Sequence, residues 1–342
     1  MLKKVLLWSF ILLPSLMAGA LLVLLASAAW IIVLLNDPQR FAKASEPLQT
    51  LAREVYERQR HIWQAQSKCI MFDEVLFYKP RPGQCVFNNL EYATVLTFDS
   101  RGFRESSQPG QQTEQSAPGR IVVLGDSQAM GWGVQDRETF SSVLASEHGF
   151  QVFNLAVSSY GTARELLRLR REFELQAGDI VVIQYHPNDL EENLAFLKPG
   201  GLPPRSPVDL GRLAHTAQDY GVLQVSASVG FILKGQFIEY LFGDTKQESL
   251  SDEFQVQTFL SVVERFPELE KVRLVVCEVD NFGHISEFPE ILEQRSGGRI
   301  TVLHPRWESS DFFRLDNHLN AEGHRKLAGI VAAAVLSGRA VN

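Results

Sequence analysis

The hydrophobic pattern of the chain begins with one long apolar run. From Val5 to Leu35 no charged residue occurs, and this run exceeds the roughly 20 residues that a transmembrane helix needs. We predict an uncleaved membrane anchor over residues 1–35 rather than a signal peptide, because the apolar run continues past the small residues at 26–28. Lys3 and Lys4 favour a cytoplasmic N-terminus. The pattern thus predicts a single-pass membrane protein whose remaining chain is extracytoplasmic, periplasmic or extracellular.

The next region, residues 36–118, is mixed in character. The stretch EPLQTLAREVYERQRHIW spaces apolar residues among charges as an amphipathic helix does, which predicts a stalk helix leaving the membrane. Short alternating segments broken by proline and glycine follow between Phe72 and Glu105 and predict irregular β structure. Ser106 to Gly119 is polar and rich in Gly, Pro and Gln, which indicates a linker.

From residue 119 to 342 apolar strands alternate with helical patterns. This alternation predicts an α/β fold, a doubly wound parallel sheet with flanking helices. The predicted strands lie in IVVLGDS, QVFNLAV, DIVVIQYHPND, VRLVVCEVD and RITVLH, and the predicted helices in RETFSSVLASEH, TARELLRLRREFEL, VQTFLSVVERF and NAEGHRKLAGIVAAAVL. Residues 197–254 interrupt the rhythm, and we predict an insertion or lid there. Its apolar stretch VGFILKGQFIEYLFG is too short to span a membrane, and a buried helix is the alternative.

Composition narrows the classes of function. The 342 residues carry a formal net charge of −7, so the chain has no basic surplus for nucleic acid, and we exclude that partner. Cys69 and Cys85 are close in sequence and would form a disulfide in an oxidising compartment; two free thiols are the alternative. Cys277 lies in the run VRLVVCEVD and is predicted to be a buried strand residue.

Reactive side chains follow the ends of several predicted strands. Ser127 comes after the first strand, Ser159 after the second and Asn188 after the third, and the segment LDNHLN brings Asp316 and His318. In an open parallel sheet the carboxyl ends of the strands form the ligand-binding edge. We therefore expect a hydroxyl, backbone amides, a carboxamide, a carboxylate and an imidazole to meet at one edge.

These groups are the parts of acyl transfer through a serine. Ser127 would attack a carbonyl, His318 would take the proton, and Asp316 would hold the imidazole. The backbone amides of Ser127 and Ser159 and the side chain of Asn188 would stabilise the oxyanion. Ser127 also begins a predicted helix, whose dipole favours the anion. The reaction requires no cofactor.

Each of these residues also has an ordinary structural interpretation. The Gly-Asp-Ser triplet occurs by chance and alone would be a turn, and Asn188-Asp189 alone would be a helix N-cap. His324 is predicted to be a surface or capping residue along the last helix. A metal site made of His318, Glu322 and His324 matches no zinc spacing.

Four blocks of the chain resemble those of the SGNH or GDSL-type hydrolases. They are VVLGDSQAMGWGV, FNLAVSSYGT, PND and DNHLNAEGH, and the resemblance covers Arg120 to about Leu336. The earlier segment FDSRGFRE is similar to the lead-in of membrane-anchored members. The resemblance implies Ser127 as nucleophile and first oxyanion donor, Asn188 as oxyanion side chain and His318 as base.

Two positions depart from that family pattern. Ser159 stands at the usual oxyanion glycine, with Gly161 two residues later. The usual catalytic aspartate lies three residues before the histidine, where this chain has Leu315, whereas Asp316 lies two before. This Asp-x-His spacing resembles that of alginate-acetylating relatives.

Three functions follow from this reading. The leading one is a membrane-anchored esterase or deacylase that acts on an acyl ester, with a cell-surface glycan as one candidate substrate. The second is an O-acyltransferase that modifies an exported polysaccharide beside a membrane-bound acyltransferase or polysaccharide-synthesis partner. The third is an inert domain that binds glycan or anchors a complex. An α/β-hydrolase elbow is disfavoured, because Ser127 follows the first strand of the region instead of a late one.

Overall fold

The computed structural model describes residues 2–106, 119–213, 220–242, 251–280 and 286–337. Most of the predicted linker, residues 107–118, therefore lies outside the described residues. The chain divides into two compact units, one made of residues 1–61 and 217–247 and the other of residues 62–216 and 248–342.

The helices and strands are numbered in chain order. The helices are α1 (Leu2–Asn36), α2 (Pro38–Lys43), α3 (Glu46–Gln59), α4 (Ser127–Met130), α5 (Phe140–His148), α6 (Thr162–Glu172), α7 (Asp189–Leu197), α8 (Pro207–Leu213), α9 (Val222–Phe242), α10 (Asp252–Val263), α11 (Phe288–Ser296) and α12 (Ala321–Ser337). The strands are β1 (Ile70–Asp73), β2 (Phe77–Pro80), β3 (Gly83–Asn88), β4 (Ala93–Phe98), β5 (Arg120–Leu124), β6 (Gln151–Asn154), β7 (Ile180–Tyr185), β8 (Arg273–Glu278) and β9 (Ile300–Leu303).

The smaller unit is helical. Its helix α1 contains a 23-residue segment, Pro14–Asn36, that is long and apolar enough to cross a membrane by length and composition. The predicted stalk helix is α3, which packs against α1, and its residues Val55 and Tyr56 are buried. The apolar part of the predicted insertion forms α9, which also packs against α1. Several large apolar side chains of α9 are exposed, so the alternative interpretation of this stretch as a buried helix is wrong.

The larger unit is built on a five-stranded parallel sheet with the order β6-β5-β7-β8-β9. The first strand of the region therefore lies between the second and third, the strand order of flavodoxin-like folds. The predicted α/β fold with a doubly wound parallel sheet is confirmed. The ends of β6, β5 and β7, which carry the candidate residues, are neighbours at one edge.

Alternate strand residues enter two hydrophobic cores, one on each face of the sheet. Ile121 and Val123 pack with residues of α5 and α12, whereas Val122 and Leu124 pack with residues of α6, α10 and α11. The central strand β7 is buried along its whole length. Both faces are thus covered by helices, as continuous apolar strands require.

The segment before the sheet is more regular than the sequence indicates. Strands β1 and β2 form one antiparallel pair, and β3 and β4 form another. Cys69, directly before β1, and Cys85 of β3 form a disulfide, with their Cα atoms 5.2 Å apart. Cys277 is buried in β8, as expected.

Helix α11, between β8 and β9, has no counterpart among the predicted elements. Its Phe288 and Leu292 are buried in the core shared with α6 and α10. Parallel neighbours such as β8 and β9 need a crossover connection, usually a helix. Two predicted parallel strands in succession should therefore have indicated a helix between them.

Candidate active site

Ser127 stands on a sharp turn between a strand and a helix. The strand β5 ends at Leu124, Gly125 has a φ of +146°, and α4 begins at Ser127, which is half-buried. A Cβ atom on Gly125 would lie 2.6 Å from the Cβ of Ala129, so this position admits only glycine. The helix α4 has four residues, so the dipole contribution expected from a helix beginning at Ser127 is small.

The side chain of Gln184 holds this turn from the adjacent strand β7. Its Oε1 accepts hydrogen bonds from the backbone amides of Asp126 and Ala129, each at 3.2 Å. Gln184 is fully buried, and its Nε2 donates to the carbonyl of Tyr185. The turn is therefore fixed to the sheet by a buried amide.

Ser127, His318 and Asp316 form a continuous hydrogen-bonded chain. His318 Nε2 lies 2.7 Å from Ser127 Oγ, and His318 Nδ1 lies 2.5 Å from Asp316 Oδ1. Asp316 is completely buried and His318 nearly so, whereas Ser127 retains access to solvent. The residues that the sequence separates by almost 200 positions thus have the geometry of a nucleophile, a base and an orienting carboxylate.

Two aromatic residues complete the surroundings of Asp316. Its Oδ2 accepts hydrogen bonds from Tyr92 Oη at 2.9 Å and from Trp132 Nε1 at 3.1 Å. The Trp132 ring also stacks on the His318 imidazole, with centroids 4.6 Å apart and planes at 11°. Both donors stabilise the ionised carboxylate, which leaves Oδ1 as the partner of His318.

Further side chains fix the loop that carries the imidazole. Glu91 accepts hydrogen bonds from the backbone amides of Arg314, Leu315 and Asp316. Gln128, the residue after the candidate nucleophile, donates to the Asn317 carbonyl and accepts from the Leu319 amide.

Sequence reasoning missed all four of these supporting residues. Glu91 and Tyr92 lie in a hairpin more than 220 positions from Asp316, and no local pattern connects them. Gln128 and Trp132 do lie inside the block VVLGDSQAMGWGV. The proximity of a tryptophan to the serine was the available signal.

The three expected oxyanion donors are each without an acceptor in the described part of the chain: the Ser127 amide, the Ser159 amide and the side chain of Asn188. Ser159 has a φ of +61°, uncommon for a residue other than glycine. Its Oγ accepts a hydrogen bond of 2.6 Å from Gln64 Nε2. Asn188 is exposed at the N-cap of α7, and its side chain makes no capping hydrogen bond. The N-cap interpretation therefore explains the position of Asn188 but assigns no role to its side chain.

Side chains of α7 bind the first turn of α6 and so connect the Ser159 and Asn188 loops. Asp189 Oδ2 accepts from Thr162 Oγ1 at 2.8 Å, and Glu192 Oε1 accepts from the Gly161 amide at 2.9 Å. Beneath them Glu165 is almost completely buried, and both of its carboxyl oxygens are without a partner among the described residues. Burial, followed by the charge of Asp189, raises the pKa of Glu165 well above its usual range. Burial of this carboxyl therefore favours its neutral form.

His324 is not the surface residue that the sequence indicated. It is buried on α12, and its Nδ1 accepts a hydrogen bond of 3.2 Å from the Phe140 amide. Burial lowers its pKa to about 3, so the imidazole is neutral. Within the described ranges, no cluster of three or more His, Cys, Asp or Glu side chains is arranged to hold a metal ion.

Comparisons with known proteins give remote likenesses only. No protein-family model matches the chain, and no curated protein matches it significantly. Among solved structures, the chain is similar to a protein from Desulfitobacterium hafniense DCB-2 assigned to the lipolytic G-D-S-L family, with 15% identity, a TM-score of 0.36 and coverage of 63% of this chain and 98% of that one.

Two further solved structures have the same level of similarity. A carbohydrate esterase family 2 enzyme with a carbohydrate-binding domain, from Corynascus thermopiles (Myceliophthora fergusii), has 14% identity and a TM-score of 0.36, covering 69% of each chain. A GDSL-like lipase from Bacteroides thetaiotaomicron VPI-5482 has 12% identity and a TM-score of 0.34, covering 65% of this chain and 89% of that one. Similarity this low says nothing about what the chain does.

Proposed function

We propose that the chain is a membrane-anchored serine esterase or deacylase of the SGNH type. The observation that carries the proposal is the unbroken contact from Ser127 Oγ through the two ring nitrogens of His318 to Asp316 Oδ1, at 2.7 and 2.5 Å. If Ser127 were only a turn residue, its conformation would not require hydrogen bonds from its hydroxyl to a buried imidazole and from that imidazole to a buried carboxylate. This arrangement is what activates a serine for attack on a carbonyl.

In the proposed first step, Ser127 Oγ forms a bond to the ester carbonyl carbon while its proton moves to His318 Nε2. The carbonyl electron pair moves onto oxygen, and the amides of Ser127 and Ser159 and the Asn188 side chain donate to the resulting oxyanion. The tetrahedral intermediate then expels the alcohol, which takes the proton from His318. An acyl-Ser127 enzyme remains.

In the second step, water attacks the acyl carbon and gives its proton to His318 Nε2. The collapsing intermediate releases the carboxylic acid, and the proton returns to Ser127 Oγ. Asp316 stabilises the imidazolium during both steps and fixes Nδ1 as the protonated nitrogen. The proposed cycle consumes an ester and water and leaves the chain unchanged.

The proposed location is outside the cytoplasm, with α1 as the membrane span. Support comes from the lysines at positions 3 and 4, from the apolar segment Pro14–Asn36, and from the Cys69–Cys85 disulfide. Disulfides of this kind persist in oxidising compartments.

Replacement of the nucleophile tests the proposal. We expect the full chain with Ser127→Ala to lose labelling by a fluorophosphonate probe and hydrolysis of p-nitrophenyl acetate, with a melting temperature close to that of the native chain, since the half-buried hydroxyl adds little to the core. Ser146→Ala, which removes an exposed serine hydroxyl on α5, is the matched control and should leave both signals intact. Equal labelling of the Ser127→Ala and native chains would refute the assignment.

The same assay separates hydrolysis from transfer. Oligosaccharide acceptors are added to the acetyl donor, and free acetate and acetylated sugar are measured by mass spectrometry. A hydrolase releases acetate faster than it acetylates sugar. If sugar is acetylated faster than acetate is released, and this acetylation is lost in Ser127→Ala, the chain is an O-acyltransferase instead.

A further inference from the structure

Helix α9 presents a stripe of exposed apolar side chains. Its members are Leu233, Phe237 and Tyr240, with exposed fractions of 46%, 59% and 85%. At 3.6 residues per turn, these three positions lie within about 60° of one another around the helix axis. The buried residues Val225, Val229 and Ile232 occupy the adjacent side. Large apolar side chains clustered and exposed on one side of a helix are typical of an interaction surface.

The stripe belongs to a helix that contacts the proposed membrane span. The position of a Cβ on Gly230 of α9 lies 3.8 Å from both δ-carbons of Leu24 in α1. The residues of α1 that precede this contact, from Pro14 to Val23, are all exposed and mostly apolar. With 35 residues, α1 is about 52 Å long, whereas the hydrocarbon core of a bilayer is about 30 Å thick. Part of α1 therefore extends beyond the hydrocarbon core.

The other neighbour of α9 is polar, which argues against a second complete span. Gln59 Nε2 of α3 donates to Ser228 Oγ of α9 at 2.9 Å, and the Arg58 guanidinium lies 4.1 Å from the centre of the Phe231 ring. Charged side chains of α3 are too costly to place in the hydrocarbon core. Lys234, within the apolar part of α9, is exposed, and a lysine side chain is long enough to hold its ammonium in the headgroups while its helix lies at a membrane boundary.

We propose that α9 is a second membrane-contacting element, which lies in the boundary between headgroups and acyl chains beside α1. Aromatic residues such as Phe237 and Tyr240 are typical of that boundary. The occupant of the stripe is the lipid bilayer, because the stripe adjoins the helix proposed to cross it. The inference rests on the proposed anchoring by α1.

Fluorescent labels in lipid vesicles test this contact in the full chain. Single replacements Leu233→Cys and Phe237→Cys are labelled with an environment-sensitive NBD group, in chains reconstituted into phosphatidylcholine–phosphatidylglycerol vesicles. The native cysteines are bridged or buried. Val86→Cys on β3, 60% exposed in the native chain, is the matched control. Leu22→Cys reports separately whether α1 is inserted.

We expect labels at 233 and 237 to emit at shorter wavelength than the label at 86. Lipids that carry a nitroxide near the headgroup should quench them at least twofold more strongly, and lipids that carry the nitroxide deep in the acyl chain should quench the label at 22, near the middle of the proposed span. Emission and quenching at 233 and 237 equal to those at 86, with the label at 22 quenched, would overturn the α9 proposal and leave the anchor standing. Absence of quenching at 22 would refute the anchor, and the α9 proposal with it. Self-quenching between labelled copies, without lipid quenching, would assign the stripe to a second copy of the chain.

Discussion

At the scale of single residues, the site is a buried carboxylate whose two oxygens have different partners. Asp316 Oδ1 contacts His318, while Oδ2 accepts from Tyr92 and Trp132. The donors at Oδ2 fix the rotation of the carboxylate, which in turn fixes the imidazole. The stacked Trp132 ring limits the remaining motion of His318. Four contacts therefore orient the His318 imidazole, although the backbone of His318 lies in a loop.

The orienting role proposed for Asp316 predicts a specific loss of activity. Asp316→Asn preserves the size of the side chain, but its amide would stabilise the wrong imidazole tautomer, so we expect kcat to fall by up to about 10⁴-fold with little change in KM. Trp132→Phe retains an aromatic ring beside His318 but removes the Nε1 donor and part of the ring area, so its loss of kcat should stay within about tenfold. Steady-state hydrolysis of p-nitrophenyl acetate measures both. A decrease below tenfold for Asp316→Asn would assign the orienting role to another group.

Some residues of the candidate site could be predicted from the sequence, and others could not. The meeting of Ser127 with Asp316 and His318 was predictable, because a serine, a carboxylate and an imidazole in this chain order are together the parts of one reaction, although each residue alone has an ordinary structural interpretation. Tyr92, from a hairpin ahead of the sheet, was not predictable, because its contact with Asp316 depends on packing between segments 224 residues apart. His324 was misassigned for a related reason: burial of a histidine depends on what covers the helix, here Phe140.

At the scale of elements, the parallel sheet brings the site residues together. The apolar runs of β5, β7 and β8 and their alternation with helices were enough to predict the strands, since such runs are buried on both faces. The pairings β1–β2 and β3–β4 were not recognisable, because proline and glycine obscure the alternation in these short strands. The contact of α9 with α1 was also unpredictable, because hydrophobicity alone does not identify a partner helix.

The strand-to-turn contact of Gln184 gives a prediction at this scale. Gln184→Met has a similar volume but removes the acceptor for the Asp126 and Ala129 amides. Two buried amides would then be unsatisfied, at a cost of about 1–3 kcal/mol each, and the Ser127 turn would relax. We expect both a lower melting temperature and a fall of about 10- to 100-fold in kcat with KM nearly unchanged.

A variant of the neighbouring strand controls for loss of core packing alone. Cys277 is paired in register with Gln184 and is also buried, so Cys277→Ala lowers stability without removing a hydrogen bond to the turn. We expect it to lower the melting temperature and to leave kcat within about twofold. An equal fall in kcat for both variants would mean that general loosening of the sheet, rather than the Gln184 contact, lowers activity.

At the scale of the whole molecule, buried ionisable groups should set the pH dependence of stability. Glu278 ends β8 with 7% of its surface exposed, and burial raises the pKa of its carboxyl to about 8 from the ordinary 4.5. Ser286 Oγ donates to its Oε1 at 3.1 Å, which offsets part of this effect. The folded chain therefore retains a proton at neutral pH that the unfolded chain has released.

Linkage gives the sign of the resulting pH effect. Below about pH 4.5 Glu278 is protonated in both states, so its full contribution to the free energy of unfolding is present. As the pH rises from about 4.5 to about 8, the unfolded state ionises first and that contribution is lost. Above about pH 8 both states are ionised, and the loss is constant.

Glu278→Gln removes this titration from a buried position while preserving shape and hydrogen bonding. We expect the variant and the native chain to have similar melting temperatures near pH 4.5, and the variant to melt several degrees higher at pH 8.5, because the native chain must bury a charge there. Calorimetric melting from pH 4.5 to 9 measures the difference, with Glu264→Gln, at an exposed position, as the control. A melting-temperature difference that does not grow with pH, or that also grows for the control, would show that Glu278 is not the buried acid that limits stability at alkaline pH.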